Sequence, residues 1–411
     1  MKRLPLLYKA SFVFFKLGTN TIMGKFSSES TLFIPRQMRA LLLRPEELPE
    51  VRVISAFWTR PMPRALGYGV AVDIAAKLPN LQDAFWYIRD SERRYPELRR
   101  RNRHELAQRV RDVLPKASAL HSLGIDMQHG QLTNQSWRPA DLGLINSALD
   151  PLSSAIREAT ASWKALKHLK LMGTIDESLF WPSPALAIVD PFWQGLKSLD
   201  VQFDMTRPIG GWYFRAPTGV EVPPPTGPPS NSKMPPGYGY SEDEDVMAAR
   251  QFSTSENVRL SGYSAKTFRS VPDETKLVPL IWAFGRACSQ IPGLKVAALR
   301  TLIPMPLCIR QGRQVHGQGA WGVWTLAPGA IPLESRQQLD PVMFEDVRQR
   351  RLFWDVKDWR PDEDLRTLLG SVGQERYGPN LVERYVDSWA TVQQTITKGR
   401  LHRAKMSRLA T

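Results

Sequence analysis

Cysteine is nearly missing from this chain: its 411 residues carry two, Cys288 and Cys308. So sparse a supply argues against a disulfide framework and against a cysteine-rich zinc site, and it points to a reducing compartment, cytoplasm or nucleus. Long hydrophobic runs are missing too. No stretch approaches the roughly 20 apolar residues of a membrane helix, so a membrane is not expected among the partners. The amino terminus "MKRLPLLYKASFVFFKLG" imitates a secretory signal in its basic start and apolar stretch, yet Lys9 and Lys16 interrupt it and no small-residue cleavage site follows closely. Without the secretory route the Asn134-Gln135-Ser136 sequon is chemically idle.

Carboxylates are in deficit, 40 Asp and Glu against 55 Lys and Arg, for a net charge of +15. That balance suits an acidic partner, an anionic membrane surface or nucleic acid, and does not choose among them. Catalytic signatures are also lacking. There is no Gly-x-Ser-x-Gly, no phosphate-binding loop and no kinase motif. The six histidines, His104, His121, His129, His168, His316 and His402, form no metal-ligand spacing. No catalytic, cofactor-binding or metal-binding residue is assigned, no cofactor is implied, and the chain is not read as an enzyme.

What is present is the material of a folded body. Hydrophobic residues at 42% and charged residues at 23% are ordinary globular values. The length implies one large or two ordinary domains, because single cores stop growing at roughly 250 to 300 residues. An irregular repeat runs along the chain: an apolar stretch of helical period ends near Leu-Pro or Ile-Pro, and a short strand-like run follows. Leu66, Val70 and Ile74 precede "LPNLQDAFWYI"; Leu98, Leu106, Val110 and Val113 precede "LPKASALHSLGIDM"; Ile145, Leu149, Leu152, Ile156 and Ala159 precede "WKALKHLKLMG". "GLKSLDVQF" supplies a further strand, and Leu277, Ile281, Phe284 and Cys288 precede "IPGLKVAALRTLI". Leu-x-x-Leu-x-Leu puts its last two leucines on one side of a strand while the first enters through a bend. The expected fold is therefore α/β, an irregular leucine-rich-repeat-like solenoid of short parallel strands and helices.

Eight Pro and four Gly in residues 216 to 240 oppose a packed ladder. The expected organisation is a poorly defined segment at 1–35, repeat-like units at 36–215, a Pro/Gly-rich and acidic flexible loop at 216–262, continuation of the body at 263–394 and a basic tail at 395–411. Pro361, with Asp362, Glu363 and Asp364 behind it, is expected to open a last helix.

The stretches "LPNLQDAFWYIRDSERRYPELRRRNRHELAQRVRDVLP", "LFWPSPALAIVDPFWQGLKSLDVQFDMTRPIGGWYF", "FRSVPDETKLVPLIWAFGRACSQIPGL" and "LFWDVKDWRPDEDL" resemble fungal F-box domain-containing proteins with leucine-rich-repeat-like bodies. The resemblance spans about residues 40 to 370. It implies a substrate receptor of a ubiquitin ligase, in which an F-box engages a Skp-type adaptor and the repeat body captures a client protein. No F-box is evident here. Leu4-Pro5-Leu6-Leu7 is only a faint echo of its opening, so adaptor binding by this chain is not expected.

Three features invite sharper readings. The Phe-Trp pairs at 180–181 and 192–193 suit a sugar or proline platform, but the leucine spacing runs straight out of them and makes them core. "GQGAWG", Gly317 to Gly322, matches the dinucleotide fingerprint letter for letter yet is followed by strand-like "VWTLAPG" instead of a helix, so it reads as a hairpin or loop. Arg93, Arg94, Arg99, Arg100, Arg101, Arg103, Arg109 and Arg111 surround an apolar stripe with Glu97, Glu105 and Asp112 among them, which describes a solvated helix face. A non-catalytic scaffold for an unknown client protein is the resulting expectation. No specific nucleic acid is expected among its partners; the alternatives are a nucleic-acid-associated basic protein or an unrecognised enzyme.

Overall fold

One turn is built five times. In each copy the carbonyl of the first residue accepts the N–H of a leucine three positions on: Leu78 to Leu81, Ala117 to Leu120, Trp163 to Leu166, Trp193 to Leu196 and Ile291 to Leu294, at 2.9 to 3.3 Å. A strand follows every turn, and in the first four copies the carbonyl of the residue just before it takes two donors from the next copy. Gln82 O accepts from His121 N and Ser122 N; His121 O from Lys167 N and His168 N; Lys167 O from Lys197 N and Ser198 N; Lys197 O from Lys295 N and Val296 N. The Leu-x-x-Leu-x-Leu spacing is thus the trace of a repeated turn and strand.

The computed structural model describes residues 13–17, 20–24, 45–59, 67–88, 90, 96–127, 134–143, 149–182, 193–225, 267–310, 313–331 and 345–386. In chain order they form β1 (Val13–Leu17), β2 (Asn20–Gly24), β3 (Ile54–Thr59), α1 (Val70–Ala75), β4 (Asp83–Tyr87), α2 (Pro96–Asp112), β5 (Ser122–Asp126), α3 (Pro151–Ala161), β6 (His168–Gly173), β7 (Ser198–Phe203), β8 (Phe214–Arg215) and β9 (Val271–Pro272). Then come α4 (Glu274–Ser289), β10 (Val296–Arg310), β11 (Arg313–Leu326), β12 (Arg350–Asp355), α5 (Glu363–Ser371), α6 (Gln374–Tyr377) and β13 (Leu381–Tyr385).

Eleven strands make one sheet in the order β13-β12-β11-β10-β7-β6-β5-β4-β3-β1-β2, and β8 pairs with β9 separately. From β3 to β13 nine strands stand in chain order, mostly parallel; β11 alone of the nine runs against the rest. The β1–β2 hairpin adds antiparallel to β3. The sheet is not a closed barrel. Because the strand order never reverses, the crevice at which doubly wound sheets bind nucleotides does not arise.

The helices share one face. Strand residues Ala84, Trp86, Leu123, Ile125, Leu169, Leu171, Leu199, Val201, Ala297 and Leu299 join one core with Val72 of α1, Leu106 and Val110 of α2, Ile156 of α3, Phe284 of α4 and Leu369 of α5. Alternate residues point the other way. There a second, small apolar cluster (Val296, Ala298, Trp324, Leu326, Phe353 and Val386) covers only β10 to β12. Among the described residues no second apolar cluster covers β4 to β7.

The helix ends follow capping rules. Asp150 caps α3, accepting from Ser153 N at 2.9 Å with Pro151 at the first helical position, so α3 starts at 151 and Leu149 precedes it; Ile145 lies outside the described residues. Asp362, and not Pro361, caps α5, accepting from Leu365 N at 2.8 Å. Strand starts at 54, 83, 122, 168 and 198 give intervals of 29, 39, 46 and 30 residues, mostly longer than the 20 to 29 of regular leucine-rich repeats. Of the expected loop only 216–225 is described, as mostly exposed chain without regular structure. The rest of that stretch, the basic tail and Leu4 to Leu7 lie outside the described residues.

Candidate functional site

The open face is laid out by register. Trp58 pairs with Phe85, Phe85 with Gly124, Gly124 with Lys170 and Lys170 with Asp200, so these five residues form one row across five strands. A second row runs Asp83, Ser122, His168, Ser198, and a third Tyr87, Asp126, Met172, Gln202, Arg300. The first two rows and the near end of the third line a hollow of about 640 Å³.

One end of the hollow is aromatic. Trp58 is 47% exposed, a large apolar side chain left in water on a sheet face, and Phe85 and Tyr87 beside it are half-buried. Gly124 makes room for this arrangement: a Cβ there would stand 2.2 Å from the Phe85 ring. The backbone N–H of Tyr87 donates to the Thr59 hydroxyl at 2.7 Å, tying β4 to β3 at the same end. The other end is ionic. Asp200, almost fully buried, lies 3.3 Å from Lys170 Nζ and 3.4 Å from Arg300 Nε, while Arg300 Nη1 donates to Gln202 Oε1 at 2.7 Å. The site therefore offers an apolar platform, a lysine whose side chain is 39% exposed, and hydroxyl and imidazole groups between them.

Register places His168 between Ser122 and Ser198, but among the described residues no hydrogen bond joins the exposed imidazole to either hydroxyl. No nucleophile–base pair is assembled there in this geometry.

A second polar cluster lies under the carboxyl ends of the parallel strands. Asp90 follows β4, Thr174 and Asp176 follow β6, Asp204 follows β7, and Asp150 caps α3. Two arginines of α2 bind them together. Arg99 grips Asp90 with two hydrogen bonds of 2.8 and 2.7 Å and also reaches the Thr174 hydroxyl at 3.1 Å. Arg103 grips Asp150 at 3.1 and 2.7 Å and donates to the Thr174 carbonyl. Tyr68 donates to Asp90 at 2.6 Å, and Thr174 to Asp204 at 2.7 Å. Burial, followed by the Asp150 charge, pushes the Asp176 carboxyl up to about 7; burial does the same to Asp204, against the Thr174 hydrogen bond. Both arginines stay charged beside their carboxylates. This cluster joins α2, α3 and three strand ends.

It corrects the arginine reading. Arg99 and Arg103 are buried at 5% and 0% exposure, so the α2 arginines are not a uniformly solvated face. The helix turns them inward because Asp90 and Asp150 need counter-charges under the strand ends, which helical spacing alone does not reveal. Arg101 and Arg111 are exposed, Arg100 and Arg109 half-buried, and Arg93 and Arg94 lie outside the described residues.

The Phe-Trp pairs are core where described. Trp193 and Phe180 are buried, Trp193 donating Nε1–H to the Thr160 hydroxyl at 3.0 Å and Phe180 meeting Phe284 edge-on; Trp181 is partly exposed and Phe192 is outside the described residues. Gly317 to Gly322 sit within β11, the return strand of the β10–β11 hairpin, with no helix following. His104 contacts the Leu142 carbonyl at 3.0 Å, and His121 and His168 are exposed. Among the described residues no group of three His, Cys, Asp or Glu is placed to hold a metal ion, and no helix is long and apolar enough to cross a membrane. Asn134 of the sequon is buried, its side chain accepting from Ser136.

No protein family, curated protein or solved structure matches the chain.

Proposed function

We propose that the chain is a non-catalytic interaction scaffold that captures a client protein on the open face of its sheet. The observation that carries this reading is the hollow of about 640 Å³ over β3 to β7, with Trp58 exposed beside Phe85 and Tyr87 at one end and Lys170 at the other. An exposed tryptophan on a formed surface is a typical anchor of protein interfaces, and such a patch rimmed by polar groups is unusual on a surface without a partner. The five repeated turns support reading the body as an irregular leucine-rich-repeat-like solenoid, whose inner sheet face is the surface such folds offer to partners. The likeness to F-box receptor bodies points the same way. The proposal for this chain is confined to client capture.

The test uses two variants of the full chain as baits in its native cell extract. Trp58→Ser with Lys170→Glu should lose, by at least tenfold, whichever protein co-purifies stoichiometrically with the parent, while Arg101→Glu on the opposite side retains it. Equal recovery by both variants would overturn the reading.

A further inference from the structure

The strand starts carry a feature that the open face does not use. Five residues lead into these strands, Gln82, His121, Lys167, Lys197 and Lys295, one per strand along the sheet edge; the carbonyls of the first four take two donors each, and that of Lys295 accepts from Ala327 N. Neighbouring strands are about 4.8 Å apart, so three lysines stand side by side. Arg376 of α6 adds a fourth cation: the Lys197 ammonium is held below the usual lysine range by burial and by the charges of Arg376, Lys167 and Lys295. Lys197 lies across Gly293, where a Cβ would be 2.3 Å from its Nζ.

Like charges in directly opposed positions of a sheet are destabilising, and several cations elsewhere in the chain meet a carboxylate. Arg100 meets Glu97, Arg109 meets Asp73, Arg111 meets Glu158, Lys170 meets Asp200 and Arg366 meets Glu383. On the rim the donors find only carbonyls: Lys167 reaches Lys164 O at 3.2 Å and Arg376 reaches Pro292 O at 3.5 Å. Among the described residues none of the four rim cations is ion-paired with a carboxylate. Beyond His121 the same edge opens into a hollow of about 360 Å³ lined by Arg52, Val53, Asn80, Gln82 and His121.

We propose that this rim is a docking surface for an acidic protein segment, whose Asp and Glu side chains lie across the strand ends from Lys295 toward Arg52. The five strand starts span about 19 Å, the reach of roughly six extended residues at about 3.3 Å each. Single-stranded nucleic acid sites interleave cations with aromatic platforms for the bases. Here the edge presents Arg, Asn, Gln, His and Lys, and the nearby Tyr377 is tied by its hydroxyl to Leu294 O at 3.3 Å. The open aromatics, Trp58 and Phe85, belong to the sheet face. The rim thus favours carboxylates over nucleotides, and its binding does not depend on the hollow of the open face.

The test is fluorescence anisotropy on the full chain with two labelled probes, a ten-residue polyglutamate peptide and a ten-nucleotide oligothymidylate. Three proteins are compared: the parent, a rim variant (Lys167→Ala, Lys197→Ala, Lys295→Ala), and a control that loses equal charge elsewhere (Arg101→Ala, Arg215→Ala, Arg348→Ala). The peptide should bind the parent and the control alike, weaken at least tenfold in the rim variant, and weaken with rising salt. The rim variant should melt at or above the parent temperature, because repulsion is relieved, which separates lost binding from lost folding. Equal weakening in both variants would make the effect one of net charge and overturn the proposal. So would a tighter, rim-dependent grip on the oligothymidylate, which would make the rim a nucleic-acid surface.

Discussion

Replacing Arg103 by Met should be among the most damaging single changes in α2, although the residue sits in a run of arginines. Its guanidinium is fully buried, donates twice to Asp150 and once to the Thr174 carbonyl, and lies 3.9 Å from Asp90. Methionine keeps much of the apolar stem but leaves Asp150, itself fully buried, with only the Ser153 amide and hydroxyl and no counter-charge at bonding distance. Removing one partner of such a pair costs about 3 to 5 kcal/mol, a large part of the roughly 5 to 15 kcal/mol that holds a domain together. Arg101→Met, one position from Asn102 on the exposed side, should change stability by less than about 0.5 kcal/mol. The double variant Arg103→Met, Asp150→Asn should recover about half of the loss, because Asn still caps α3 and no bare charge remains. Urea denaturation followed by tryptophan fluorescence reads all four proteins. A loss below about 1 kcal/mol for Arg103→Met would refute the reasoning, since the cluster would then contribute no more than a surface ion pair.

Trp193→Ala removes a buried indole and its hydrogen bond to Thr160; at about 3 to 5 kcal/mol it should lower the melting temperature markedly, and a variant that melts like the parent would contradict a core role. Asp204 supplies a pH test. Its carboxyl titrates at about 7 in the fold against an ordinary 3.8, so the native state keeps a proton that the unfolded chain releases near pH 4, and stability from this group falls as pH rises from about 4 to about 7 and is level above. Asp204→Asn should therefore be more stable than the parent above pH 7 and converge with it toward pH 4, as seen in melting curves across that range. A gap that does not widen with pH would sink the assignment.

The repeat was legible because one residue spacing serves two structural demands. In Leu166-x-x-Leu169-x-Leu171 the first leucine closes a turn and the next two point to the helix side, and the same holds at Leu81, Leu120, Leu196 and Leu294. The open face was hidden in the intervening positions. Phe85, Gly124, Lys170 and Asp200 share a row only through register, and 39, 46 and 30 residues separate the starts of their strands. Gly124 carries no signal of its own until the Phe85 ring is seen above it. The inward arginines were hidden for a related reason. Helical periodicity identifies Leu98, Leu106 and Val110 as the buried stripe, but Arg99 and Arg103 lie within its margin, and only the positions of Asp90 and Asp150 decide that they turn in. The lysine rim was visible as "LKHL", "LKSL" and "LKVA", since each lysine directly follows the leucine that closes a turn. Charge spacing in the sequence does not reveal that neighbouring strands bring them together.

Site-directed photo-crosslinking shows directly whether the open sheet face holds a partner. A benzophenone side chain is placed at position 58 or 85 on that face, or at exposed Gln108 on α2, in the full chain expressed in its native cells. Positions 58 and 85 should share one discrete protein adduct, and position 108 should give none. Adducts from 108 with silence at 58 and 85 would place recognition on the helix side and contradict it.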